Sequence, residues 1–127
     1  MQTEIKIYKI KDFIRKNELG TLSYERVIEI VKEFSAAASL HPDCNILLDF
    51  RKTKLSDFNM VDIMKAASEM DKFKYFLKNR IANVIPKDKD RISIAKKAEA
   101  AIQLKGFQYK FFTDFEEAIE WLSDINI

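Results

Sequence analysis

The chain has 127 residues, 47% apolar and 33% charged, which fits one globular domain that buries a core without disulfide or metal staples and excludes a disordered chain. Its 22 basic and 20 acidic residues leave a net charge of +2, too even for the footprint of a nucleic-acid module. A lone cysteine, the lack of any apolar run of membrane-spanning length, and an N-terminus without a signal-peptide pattern imply a cytoplasmic protein with no internal disulfide and no membrane span.

Residues Glu4 to Ile10 alternate apolar and polar, as a half-buried strand does, and Phe13 to Lys16 form a short extended run that can pair with it. Gly20 then supplies a turn and Ser23 an N-cap, whose hydroxyl accepts from a free amide of the first helical turn. Tyr24, Val27, Ile28, Val31, Phe34 and Ala38 follow at spacings of three and four, so the spacing predicts a helix with one apolar face. It ends near Leu40, because the residue before Pro42 is pushed out of the helical region. The run from Asn45 to Phe50, NILLDF, reads as a strand buried on both faces of a parallel sheet.

A basic loop, Arg51 to Lys54, leads to a second helix carrying Met60, Ile63, Met64, Ala67 and Met70, with Asn59 and Asp62 placed as a capping box. Arg80 to Pro86 reads as a strand closed by its proline. A third helix spans Asp90 to Lys105, with Ala95, Ala98, Ala101 and Ile102 inward and Gly106 as its stop. Gln108 to Phe112 is the last strand, and Thr113 with Glu116 caps a final helix bearing Phe115, Ala118, Ile119 and Leu122. The order β-β-α-β-α-β-α-β-α implies one α/β domain over residues 1–127, with a mixed, mostly parallel sheet.

Catalytic signatures are sparse. His41 is the sole histidine, and with Cys44 it supplies two ligands where structural zinc takes four, so a plain loop outweighs a metal site and no cofactor is expected. Two glycines cannot build a phosphate-binding glycine loop. Asp49 stands where open α/β sheets place ligands, but a phospho-receiver would need an acidic pair after its first strand, where this chain has Lys11-Asp12. Arg51, Lys52 and Lys54, ahead of a helix N-terminus at Asn59, could hold an anion, but a solvated turn is the favoured account of them.

The turn Gly20-Thr21-Leu22-Ser23, the NILLDF strand ending at Asp49, and the closing FEEAIEWL from Phe115 resemble the STAS domain, and within it the SpoIIAA-like group of small standalone domains. In the anti-sigma-factor antagonists of that family, an Asp-Ser-Ser-Gly motif at the start of the next helix carries a phosphorylated serine. The ungapped count places that motif on Asp57-Phe58-Asn59-Met60, so the aspartate is kept while Asn59 replaces the phosphorylated serine. The resemblance implies a non-catalytic regulatory domain that works by protein–protein interaction without the serine phospho-switch. Its contact candidates are Asp49, Lys52, Lys54, Asp57, Asn59, Met60, Ile63 and Met64, with a protein partner and a homodimer both in view.

A carrier of a small apolar or lipid-like ligand, as in SEC14-like folds, is the alternative, and the methionine-rich helix and ten phenylalanines speak for it. The readings part on geometry. A docking domain shows an exposed apolar patch near Met60 to Met64, a carrier a closed apolar pocket, and an enzyme a polar cleft with strongly shifted carboxylates.

Overall fold

The computed structural model describes residues 12–123. Four strands and four helices alternate: β1 (Phe13–Leu22), α1 (Tyr24–Leu40), β2 (Asn45–Leu55), α2 (Met60–Asp71), β3 (Ile81–Val84), α3 (Lys89–Leu104), β4 (Tyr109–Phe112) and α4 (Phe115–Ser123), with a 3₁₀ turn at Lys74–Phe76. The strands form one sheet in the order β1-β2-β3-β4, and every pairing is parallel. The strand expected over Glu4 to Ile10, and the antiparallel pair it would make, lie outside the described residues.

Alternation along β2 sorts the core into two layers. Ile46, Leu48 and Phe50 face α1, α2 and α3, packing with Ile30, Val31, Phe34, Ala67, Met70 and Ile102. Leu47 faces the opposite side with Ala82, Val84 and Phe112, where Ala118 and Leu122 of α4 cover them. Three helices thus share one face and α4 lies on the other, a layering that buries both sides of the central strands and explains the unbroken apolar run Ile46-Leu47-Leu48.

The caps read from the sequence are present for two helices. Ser23 Oγ accepts from the Arg26 N–H at 3.1 Å. Asn59 Oδ1 accepts from the Asp62 N–H at 3.0 Å, and the Asp62 carboxylate accepts from the Asn59 N–H at 3.2 Å, which closes the capping box. At α4 the cap falls one residue later than expected: Asp114, not Thr113, accepts from the Glu116 N–H at 2.8 Å. The Cys44 N–H donates to the His41 carbonyl at 3.1 Å, so these two residues close a turn between α1 and β2.

Two expectations need correcting. Gly20 is not a turn but lies inside β1, at φ +87°, and the segment Arg51 to Lys54 is not a loop but the second half of β2. A β-bulge lies just before both in the pairing of β1 with β2. The register runs from Asn17↔Asp49 to Leu19↔Lys52, so β2 spends one residue more than β1 across this interval. An extra residue reverses the alternation beyond it and bends the strand. As a result Thr53 is buried while Lys52 and Lys54 are exposed. This part of β2 pairs with β1 alone, since β3 accompanies β2 only from Ile46 to Asp49.

Charge is concentrated where α1 starts over β1. Arg26 reaches Glu18 at 2.8 Å, Glu33 at 2.9 Å and Glu29 at 3.0 Å, and Lys16 adds Glu33 at 2.9 Å. Hydrogen bonds donated to Glu18 and Glu33 hold the Arg26 guanidinium above its ordinary pKa, and Arg26 with Lys16 holds the Glu33 carboxyl below the usual range.

Candidate functional site

The eight candidate residues divide among five environments. Asp49, placed mid-strand and on the α4 face, is clamped by two arginines. Arg51 donates to Oδ1 at 2.9 Å and to Oδ2 at 2.7 Å, and Arg15 donates to Oδ2 at 3.1 Å. Both guanidiniums stack on the ring of Phe115, 4.8 Å and 4.7 Å from its centroid. The Arg51 hydrogen bonds, against the opposing effect of burial, hold the Asp49 carboxyl below the usual carboxylate range. A carboxylate so paired is an anchor for α4, and it lies on the opposite side of the sheet from α2.

Ile63 is 3% exposed and belongs to the core, so it has no surface to offer a partner. Asn59 has its side chain engaged in the capping box. Lys52, Lys54 and Asp57 are exposed polar residues at the end of β2, and Asp57 takes a left-handed conformation at φ +35° that is costly for a residue with a Cβ. Met60 and Met64 are 51% and 46% exposed, and Val61 between them is 59% exposed. With Tyr24 of α1 these three line an open apolar groove whose edges carry Lys65, Glu69 and Lys72.

Behind this rim lies a feature that the motif reading missed. A cavity of about 110 Å³ opens between the sheet and helices α1 to α3. Its walls are mostly apolar, with Leu48, Phe50, Ile63 and Ile102 among them, and Phe58 of the β2–α2 loop borders it. Three polar side chains line it. Asn83 donates from Nδ2 to the Tyr109 hydroxyl at 2.8 Å, and its buried Oδ1 finds no protein partner. Reversing the amide would leave the nitrogen unmatched instead.

Arg91 is the third polar group, only 8% exposed. It donates from Nη2 to Thr53 Oγ1 at 2.9 Å and from Nη1 to the Thr53 carbonyl at 3.2 Å. Among the described residues no carboxylate lies within ion-pair distance of it. Asp88 exerts a weaker field, and its side chain is spent on the Arg91 N–H, 2.9 Å away. Burial pulls the Arg91 guanidinium below its ordinary pKa and pushes the Tyr109 hydroxyl up to about 12.

Arg91 also borders a surface groove lined by Arg51, Lys52, Lys54, Asp88 and Asp90, so it stands between cavity and solvent. The sequence does carry a sign of its burial: Arg91 falls on the same helical stripe as Ala95, Ala98 and Ile102, where an arginine is out of pattern. Asn83, in the middle of an otherwise apolar strand, is the matching sign in β3.

Among the described residues no cluster of three or more His, Cys, Asp or Glu could hold a metal ion, and no helix is long and apolar enough to cross a membrane. No protein-family model matches the chain, no curated protein matches it, and no solved structure matches it.

Proposed function

We propose that the chain is a non-catalytic, cytoplasmic regulatory domain of the STAS type, in the SpoIIAA-like group, that acts by binding another protein through the outer face of α2. The observation that carries this reading is the exposed apolar run Met60, Val61 and Met64, contiguous with Tyr24. Single exposed apolar residues are ordinary, but a contiguous set beside a groove is what docking surfaces present. Methionine suits the role, because its unbranched side chain adapts to a partner's shape. Lys65, placed 5.8 Å over the Tyr24 ring at the edge of this groove, favours a partner whose apolar contact is flanked by an acidic residue. Asn59 stands at the position of the family's phosphorylated serine with its side chain already committed to the helix cap, which supports a surface used without that switch.

The test uses the full chain with a photo-reactive residue in place of Met64, expressed in its own cells. A specific cross-link to one other protein is expected, and Val61→Glu should abolish both the cross-link and binding to that purified protein. Stability should stay within about 0.5 kcal/mol, since Val61 is a surface residue. A partner that still binds the Val61→Glu variant would sink the proposal, and cross-linking to a second copy would make this face a dimer interface instead.

A further inference from the structure

Independently of that surface, the interior holds the chemistry of a ligand site. A buried cation without an acid is costly, because the energy of removing it from water is normally recovered from a paired anion. Arg91 receives only the two neutral oxygens of Thr53. Its planar guanidinium carries five N–H donors, so three of them remain for another acceptor. Nearby, Asn83 Oδ1 has no donor, and the Tyr109 hydroxyl, which accepts from Asn83, keeps its own proton to give. The three polar groups line a cavity whose other walls are largely apolar.

We propose that this cavity binds a small apolar monocarboxylate that also carries one hydroxyl. The carboxylate pairs with Arg91, the apolar body lies against Leu48, Phe50 and Ile63, and the hydroxyl donates to Asn83 Oδ1. Size limits the class: benzene takes an apolar cavity of roughly 150 Å³, and this one, at about 110 Å³, is smaller, which leaves room for a short aliphatic chain but not for an aromatic ring or a lipid tail. The bulge in β2 belongs to the same site, since it turns Thr53 inward to hold the guanidinium and leaves Lys52 and Lys54 outside, beside the groove that Arg91 borders. Those lysines favour an anion arriving from that side.

The experiment titrates the full chain with 3-hydroxybutyrate, butyrate and 2-butanol, following the methyl NMR signals of Ile63, Ile102 and Met70 and the heat of binding. Saturable binding of 3-hydroxybutyrate is expected, with butyrate and 2-butanol each at least about tenfold weaker because each lacks one of the two polar contacts. Arg91→Gln should weaken both carboxylates by tenfold or more and leave 2-butanol unchanged. Asn83→Val should bring 3-hydroxybutyrate down to the level of butyrate. Where Arg91→Gln fails to fold, the wild-type ligand series and Asn83→Val decide. No saturable binding by any of the three probes, equal affinity for 2-butanol and 3-hydroxybutyrate, or shifts confined to Met60 and Met64 would each overturn the proposal.

Discussion

Arg26 and Arg91 hold the same local position in two different helices. Each is the third residue of its helix, and each gives its backbone N–H to the N-cap side chain, Ser23 in one case and Asp88 in the other. Beyond the backbone they diverge. Arg26, on the surface, is surrounded by Glu18, Glu29 and Glu33, whereas Arg91, nearly buried, has two oxygens of one threonine. Surface ion pairs contribute little even when they are many, because water already solvates both charges. A buried charge without a counter-charge weighs more in the opposite direction. The well-paired arginine therefore has a modest structural role, and the poorly paired one marks a place where the fold is not optimised for its own stability.

The sharpest way to break this contrast is to remove what Arg91 still has. Thr53→Val keeps the shape but deletes the Oγ1 acceptor, and also the bond that Oγ1 donates to the Phe50 carbonyl at 2.7 Å. A loss of about 2–3 kcal/mol in urea unfolding is expected, as for a buried charged group left short of a partner. Adding Arg91→Met should return most of that loss, because an apolar side chain there needs no acceptor. A double variant no more stable than Thr53→Val would show that the guanidinium was not the source of the cost.

Asp49 occupies the middle ground, buried but held by two arginines that are each nearly half in solvent. Asp49→Asn is expected to cost about 1–2 kcal/mol near neutral pH, less than a fully buried pair because solvent screens the two arginines. The sign with pH follows from its depressed pKa: the folded state binds the Asp49 proton less readily than the unfolded chain does. This stabilisation is therefore complete above the ordinary aspartate pKa and is lost as pH falls through the lower folded value. Acid titration of stability should show the loss in the wild type and a smaller one in Asp49→Asn.

Smallest of all is the effect expected at the richest network. Arg26→Gln should cost no more than about 1 kcal/mol, and less in high salt, where exposed charges are screened over a few ångströms. If Arg26→Gln cost as much as Thr53→Val, the argument from pairing would fail.

The same distinction separates what the sequence made legible from what it did not. Helix positions announced themselves, because the stripe Val27, Val31, Phe34 and Ala38 and the caps Ser23 and Asn59 are local signals that need no knowledge of neighbours. The second half of β2 was hidden for a physical reason: with a partner on only one side it has little to bury, so Arg-Lys-Thr-Lys is as polar as a loop. The bulge was hidden as well, since it exists only in the register between β1 and β2. At the candidate site, the exposure of Met60 and Met64 and the burial of Ile63 depend on where α1 and α3 lie, which periodicity alone does not give. Asp49 looked available because its two arginines, one of them 34 positions away in the chain, became neighbours only in the fold.

The strands of the described sheet lie side by side in the order in which they are synthesised. No later strand has to be inserted between two earlier ones. When β2 has formed beside β1, its free edge is already the template for β3, and β3 then serves β4 in the same way. A chain still emerging from the ribosome can thus extend its sheet from one side only, adding one strand-and-helix unit at a time without undoing what came before.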